Sequence, residues 1–185
     1  MTDWIATDRV RLAESRLLDV AADLFADRGV DAVTMADIAA AAGCSRATLY
    51  RYFPTRTDVL TSYVRVTTER ILRTIVRDTA DVVDPRQRTV TAVTAALAAI
   101  RDDPALGPWF STDAGLPARL AVSHPAIADA VRTVMGGDGP DAAATARWLT
   151  RSIIALVVMP EPSPDDERRC VERFLAPAVA VVGGG

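Results

Sequence analysis

The chain has 185 residues, 50% of them hydrophobic and 24% charged, with a formal net charge of −3. That composition is globular: it suits one domain, or a small domain joined to a larger one, and argues against disorder away from the ends. Aromatic residues make up only 5% and dense β-branched runs bounded by turn residues are missing, so a mostly helical protein is expected.

Several function classes fall away at once. No basic leader precedes an apolar stretch, and the longest apolar run, "IIALVVMP" at 153–160, is too short to span a bilayer. Cys44 and Cys170 form no CxxC pair, which points to a reduced, cytoplasmic setting without a disulfide. With His124 as the single histidine, a metal centre has too few ligands of the usual kind, and no cofactor is implied. Phosphate-cradling glycine loops and a G-x-S-x-G nucleophile turn are absent, so an enzyme is not expected.

In chain order, residues 9–28 repeat Val10, Leu17, Val20, Ala21, Leu24 and Phe25 at helical spacing, and Gly29 reads as the stop. Thr34 then opens "TMADIAAAAG" with Asp37 three residues on, the pattern of a capping box. Ile38 and Ala39 turn inward and Gly43 ends this short helix. Ser45 caps "RATLYRYF", with Leu49 and Phe53 toward the core and Pro54 as the stop. Thr55 caps a fourth helix, again with an acid three residues later, Asp58. Two short helices near 34–42 and 46–53, joined by a tight turn between longer helices, have the layout of a helix-turn-helix. An alanine-rich helical hairpin satisfies the same spacing. Charge bears on the choice: seven arginines meet nine acids over residues 1–60, yet Arg46, Arg51 and Arg56 stand unopposed between Asp37 and Asp58.

The string "TMADIAAAAGCSRATLYRYFPTRTDVL" resembles the helix-turn-helix of TetR-family transcriptional regulators of the AcrR-like group. Over residues 9–60 the marks are Phe25, Gly29, Thr34, Ile38-Ala39, Gly43 and "TLYRYFPTR". The resemblance implies an all-α protein of about nine helices. An N-terminal three-helix DNA-binding domain would occupy residues 1–56, and a C-terminal helical effector-binding and dimerisation domain residues 57–185. It further implies a homodimeric, ligand-responsive regulator, a repressor of a palindromic operator released by a small, largely apolar effector. An effector-independent DNA-binding protein and a helical small-molecule-binding protein or enzyme are the competing readings.

The residues of the motif suit contact with double-stranded DNA. Arg46, near the start of the second short helix, can reach base edges, where a bidentate bond to guanine is the commonest arginine contact. Ala47 and Thr48 are small enough for close approach in the groove. Tyr50 offers its hydroxyl to phosphate, Arg51 suits a base or a phosphate, and Tyr52 stands where the family often has histidine. Ser45 belongs to the set as the cap. Thr34 and Arg56 begin the second and fourth helices, where amides and dipole favour an anion; Arg56 keeps the charge of the family's usual lysine. Cys44 fills a turn position that is more often valine and reads as a small core-facing side chain.

From Thr57 the pattern stays helical to about Asp81. Asp84-Pro85, with Gln87 following, opens the next helix. Pro104, Pro108 and Pro117 divide the middle into short pieces, and a helix from Pro125 to Met135 ends at the loop "GGDGP". Two longer helices, 141–159 and 164–182, close the chain before a "GGG" tail expected to be disordered. By the resemblance these two pair with a second copy as a four-helix bundle. Trp109, Phe110, Leu116, Leu120, Trp148 and Met159 are candidate effector-lining residues, with His124 or Arg147 as polar handles. Plain core packing is the alternative for each, and His124 beside Pro125 could simply cap the helix that begins there.

Overall fold

The computed structural model describes residues 4–112, 115–135 and 142–177. Within them the chain is all-helical. α1 (Trp4–Arg28), a 3-10 turn (Val30–Ala32), α2 (Met35–Ala41) and α3 (Arg46–Tyr52) lead into the long α4 (Arg56–Thr79). Then follow α5 (Pro85–Asp102), α6 (Leu106–Thr112), α7 (Gly115–Ser123), α8 (Pro125–Met135), α9 (Ala142–Val158) and α10 (Pro164–Cys170). The chain forms two compact units, one ending at Val64 and the other beginning at Arg65. The boundary falls inside α4, whose first residue is the point where the sequence reading divided the domains.

The first unit is fixed by caps. Thr34 and Asp37 exchange hydrogen bonds in a complete capping box, the Thr34 hydroxyl oxygen accepting from the Asp37 N–H and the Asp37 carboxylate from the Thr34 N–H. The Thr34 hydroxyl also donates to the Asp37 carboxylate, and this bond first, then the Thr34 N–H bond and nearby Arg28, hold the Asp37 carboxyl below its ordinary value. Thr55 and Asp58 repeat the box at the head of α4. Between α2 and α3 the chain turns through Gly43 at φ 65. Its N–H reaches the Ala40 carbonyl, and the Cys44 N–H reaches that of Ala39. Those two bonds make a Schellman turn, in which the left-handed position favours glycine.

The core of this unit joins Leu17, Leu18, Ala21 and Phe25 of α1 to Ile38, Ala39, Leu49, Phe53, Val59, Leu60 and Tyr63. Phe25 meets Tyr63 edge to face at 5.6 Å. One expectation needs correcting: Val10 is 44% exposed, and Val20 and Leu24 are only half-buried, whereas Leu18 belongs to the core. Helices α2 and α3 have 7 residues each and cannot cover all of the 25-residue α1.

The second unit packs around α5. Val90, Val93 and Leu97 meet Val131 of α8, Ala146 and Leu149 of α9, and Val171, Leu175 and Ala176 of the last helix. A smaller cluster joins Ile75 of α4 to Ala92, Ala96 and Val134. Pro108 and Pro117 do not break helices; they lie in the first turns of α6 and α7, where a missing N–H leaves no intrahelical bond unmade. The final helix departs from regularity, passing from α10 into a π turn at Val171–Leu175. The "GGDGP" loop, residues 178–182 of the expected last helix and the glycine tail lie outside the described residues.

Two buried carboxylates fasten this unit. Asp103 accepts from the Ala105 and Leu106 N–H groups at the head of α6 and from Arg70 of α4 at 2.9 Å. Glu167 takes a bidentate bond from Arg101 at 2.8 and 2.6 Å, while the same guanidinium donates to the Leu156 carbonyl. The bonds to Glu167 hold the Arg101 pKa above its ordinary value.

Candidate nucleic-acid interface and ligand-facing residues

Helix α3 has two unlike sides. Leu49 is fully buried and Phe53, the residue that closes the helix, nearly so, which anchors one side against α2. Arg46, Ala47, Tyr50 and Arg51 are exposed and follow helical spacing along the other side, with Thr48 and Tyr52 half-buried at its margins. Ser45 is committed to the cap, its Oγ accepting the Thr48 N–H at 3.1 Å. The Arg51 guanidinium lies 5.2 Å from the Tyr52 ring centroid, a cation–π arrangement that orients both.

Beside this helix an open concavity of about 530 Å³ is lined by Asp31, Val33, Thr34, Met35, Ala36, Arg46, Tyr50 and Arg56. Four predicted residues, Thr34, Arg46, Tyr50 and Arg56, thus converge on one surface. The head of α2 frames it, so Thr34, Met35 and Ala36 border the same space as two arginines. Arg56 has a second engagement that its position in the sequence does not reveal. Its Nε donates to the Val33 carbonyl at 3.0 Å and its Nη2 to the Val30 carbonyl, and the side chain is half-buried. Guanidinium carries five N–H donors, so donors remain for the concavity. Asp31, Val33, Met35 and Ala36 were not among the predicted residues.

The predicted effector residues separate into three groups. Trp109 and Phe110 are buried at 3% and 5% exposure in α6. Leu116, Leu120 and His124 are half-buried along α7 and its end. Trp148 and Met159, at 41% and 70% exposure, stand on the surface of the protomer, as does Arg147. Trp148 does not join Trp109 in an interior lining, because α9 turns it away from the side that carries Leu149, and Met159 lies just beyond the end of that helix. His124 caps α8, its Nδ1 accepting the Ala126 N–H at 3.2 Å. Among the described residues no cluster of His, Cys, Asp and Glu could hold a metal, and no helix is long and apolar enough to cross a membrane.

Comparison with known proteins agrees with this arrangement. Residues 17–63 match the family of bacterial regulatory proteins described as the tetR family. The HTH-type transcriptional regulator Rv1255c of Mycobacterium tuberculosis is 39% identical over 183 residues, spanning 96% of this chain and 91% of that protein. The chain belongs to the TetR family. It is a helix-turn-helix transcriptional regulator and not an enzyme.

Solved structures share this fold over most of the chain. The TetR-family repressor AlkX from a Dietzia strain, implicated in biodegradation of n-alkanes, has a TM-score of 0.70 at 24% identity, covering 92% of this chain and 96% of its own. RolR in complex with resorcinol has a TM-score of 0.72 at 20% identity, covering 96% of each chain. For a TetR-family member, α2 and α3 are then the helix-turn-helix pair.

Proposed function

We propose that the protein is a homodimeric, ligand-responsive repressor that works in the cytoplasm on a palindromic DNA operator and is released by a small, largely apolar effector. The observation that carries the reading is α3: Leu49 is locked into the core while Arg46, Ala47, Tyr50 and Arg51 point outward, with no acid on the helix. In this reading Arg46 reads base edges, Ala47 and Thr48 allow close approach, and Tyr50, Tyr52 and Thr34 hold phosphates. Arg51 adds a base or phosphate contact. Arg56 uses its remaining donors on phosphate while its carbonyl bonds keep it in place.

Dimerisation has support in the exposed apolar residues of the closing helices, Trp148, Val158, Met159 and Phe174. A two-fold pair would engage half-sites about 34–36 Å apart, or a multiple of that spacing. The naming of AlkX as a repressor and the resorcinol bound to RolR support a repressor with a small effector. Release would follow from an effector that favours a conformation in which both half-sites cannot be engaged together. Trp109, Phe110, Leu116 and Leu120 are proposed to supply the apolar surroundings of that effector.

Selection of fragments from the source genome by the purified protein tests the reading, with Arg46→Ala/Tyr50→Ala as control. A palindromic fragment recovered by the wild type alone is the expected result. Equal, salt-sensitive background from both proteins would overturn it.

A further inference from the structure

His124 joins α7 to α8 and is the single histidine of the chain. Its side chain is 10% exposed. Because Nδ1 accepts the Ala126 N–H, the proton of the neutral ring must sit on Nε2. That Nε2 is buried and has no hydrogen-bond partner. The Glu69 carboxylate of α4 lies 3.9 Å away through Oε1, too far for a direct hydrogen bond. Burial, the largest influence, lowers the His124 pKa; Glu69 opposes this and Arg65 adds to it. The ring is therefore neutral at neutral pH, and a charged pair with Glu69 does not satisfy it.

A donor and an acceptor at this separation can share one bridging oxygen: two hydrogen bonds of about 2.8 Å span about 4 Å when they meet at roughly a right angle, against about 4.6 Å at the tetrahedral angle. The bridging group must accept from Nε2–H and donate to the carboxylate. A carbonyl or ether only accepts, an ammonium only donates, and a carboxylate or phosphate would meet the negative charge of Glu69. A neutral O–H does both, whether it belongs to water or to an alcohol or phenol that displaces it. Leu116, Leu120 and His124 recur four residues apart and are all half-buried, so the hydroxyl would arrive on an apolar body.

We infer that His124 and Glu69 form a hydroxyl-recognising pair, and that the effector is a small neutral alcohol or phenol whose O–H bridges them. The inference rests on the effector-responsive reading above and gives that effector a chemical class. Glu69 also receives Arg65 of the same helix at 3.3 Å, so a hydroxyl engaging Glu69 acts directly on α4.

The single histidine makes the test direct. Full-length protein labelled with ¹⁵N-histidine is titrated with phenol and cyclohexanol, and with anisole and toluene, which cannot donate. Phenol and cyclohexanol should shift the Nε2 resonance saturably, with toluene at least about tenfold weaker. Anisole should fall between, since it accepts from Nε2–H but leaves Glu69 without a donor. Glu69→Leu should remove the preference for phenol over anisole in the same spectra; in His124→Phe, which has no histidine to observe, calorimetric titration should show no preference of phenol or anisole over toluene. Equal responses to all four compounds, or none, would overturn the inference. Fragment selection on the same preparation separates the two claims. Specific DNA recovery without a hydroxyl response sinks the pair alone. Hydroxyl binding without specific recovery sinks the repressor reading instead.

Discussion

Arg56 carries two duties that can be separated by substitution. Its bonds to the Val30 and Val33 carbonyls tie the connection between α1 and α2 to the head of α4. Arg56→Ala removes both and should destabilise the protein by roughly 1–3 kcal/mol, measured by urea unfolding. Arg56→Lys keeps the charge for a phosphate but not the planar fork, so most of that destabilisation should remain while operator affinity falls less than in Arg56→Ala. Equal stability of all three proteins would show that the carbonyl bonds contribute nothing. His124 offers a second residue-scale prediction. Its pKa is lowered in the folded protein, so below the unfolded value of about 6.5 the unfolded chain binds more protons. Stability should be complete above that pH and decline as pH falls toward the folded pKa. In His124→Gln that portion of the profile should be flat. The acid limb set by Asp37 and Asp166, whose carboxyls sit below their ordinary value of 3.8, should persist.

At the scale of elements, what was legible in the sequence was what short-range chemistry specifies. Thr34 with Asp37, Ser45, Thr55 with Asp58, and Ser163 with Pro164 each sit within three residues of the groups they cap, so the helix starts could be read directly. The exposed side of α3, which carries the residues proposed for DNA contact, was legible for the same reason, because helical spacing separates it from Leu49. The burial of the proposed effector residues was not. Trp109 and Trp148 look alike as letters, and only packing shows that one is buried in α6 and the other exposed on α9. Arg56 and its carbonyls are 23 and 26 residues apart, beyond any local pattern. The same holds for Arg101 and Glu167, 66 residues apart, which fasten α5 to α10. Removing one partner of such a pair leaves a buried charge. Arg101→Ala should therefore cost roughly 2–3 kcal/mol in thermal or urea unfolding. Arg101→Ala/Glu167→Leu should recover much of it, and a double variant no better than the single would refute the clamp.

For the whole molecule, the decisive quantity is whether one protomer can hold an operator. A single α3 presents a short exposed face, and a chain with net charge −3 gains little from non-specific attraction to phosphate. Two linked copies bind with the effective concentration of an intramolecular second step, which raises affinity without new contacts. Under the proposed repressor reading, that argument gives the apolar surface of the closing helices its use. Trp148 and Phe174 are large, exposed at 41% and 61%, and lie on α9 and on the turn that continues α10. Trp148→Glu/Phe174→Glu would place two carboxylates on each facing surface. In a two-fold dimer those charges meet their own copies, so repulsion adds to the lost apolar burial. Sedimentation should then report a monomer for the variant and, under the proposed function, a dimer for the wild type, with the helical circular dichroism retained. Operator affinity should drop by at least about a hundredfold, as expected when the second half-site no longer acts with the first. A variant that stays dimeric and keeps its affinity would move the interface to another face. A monomer that still binds the palindrome at full strength would show that one α3 suffices.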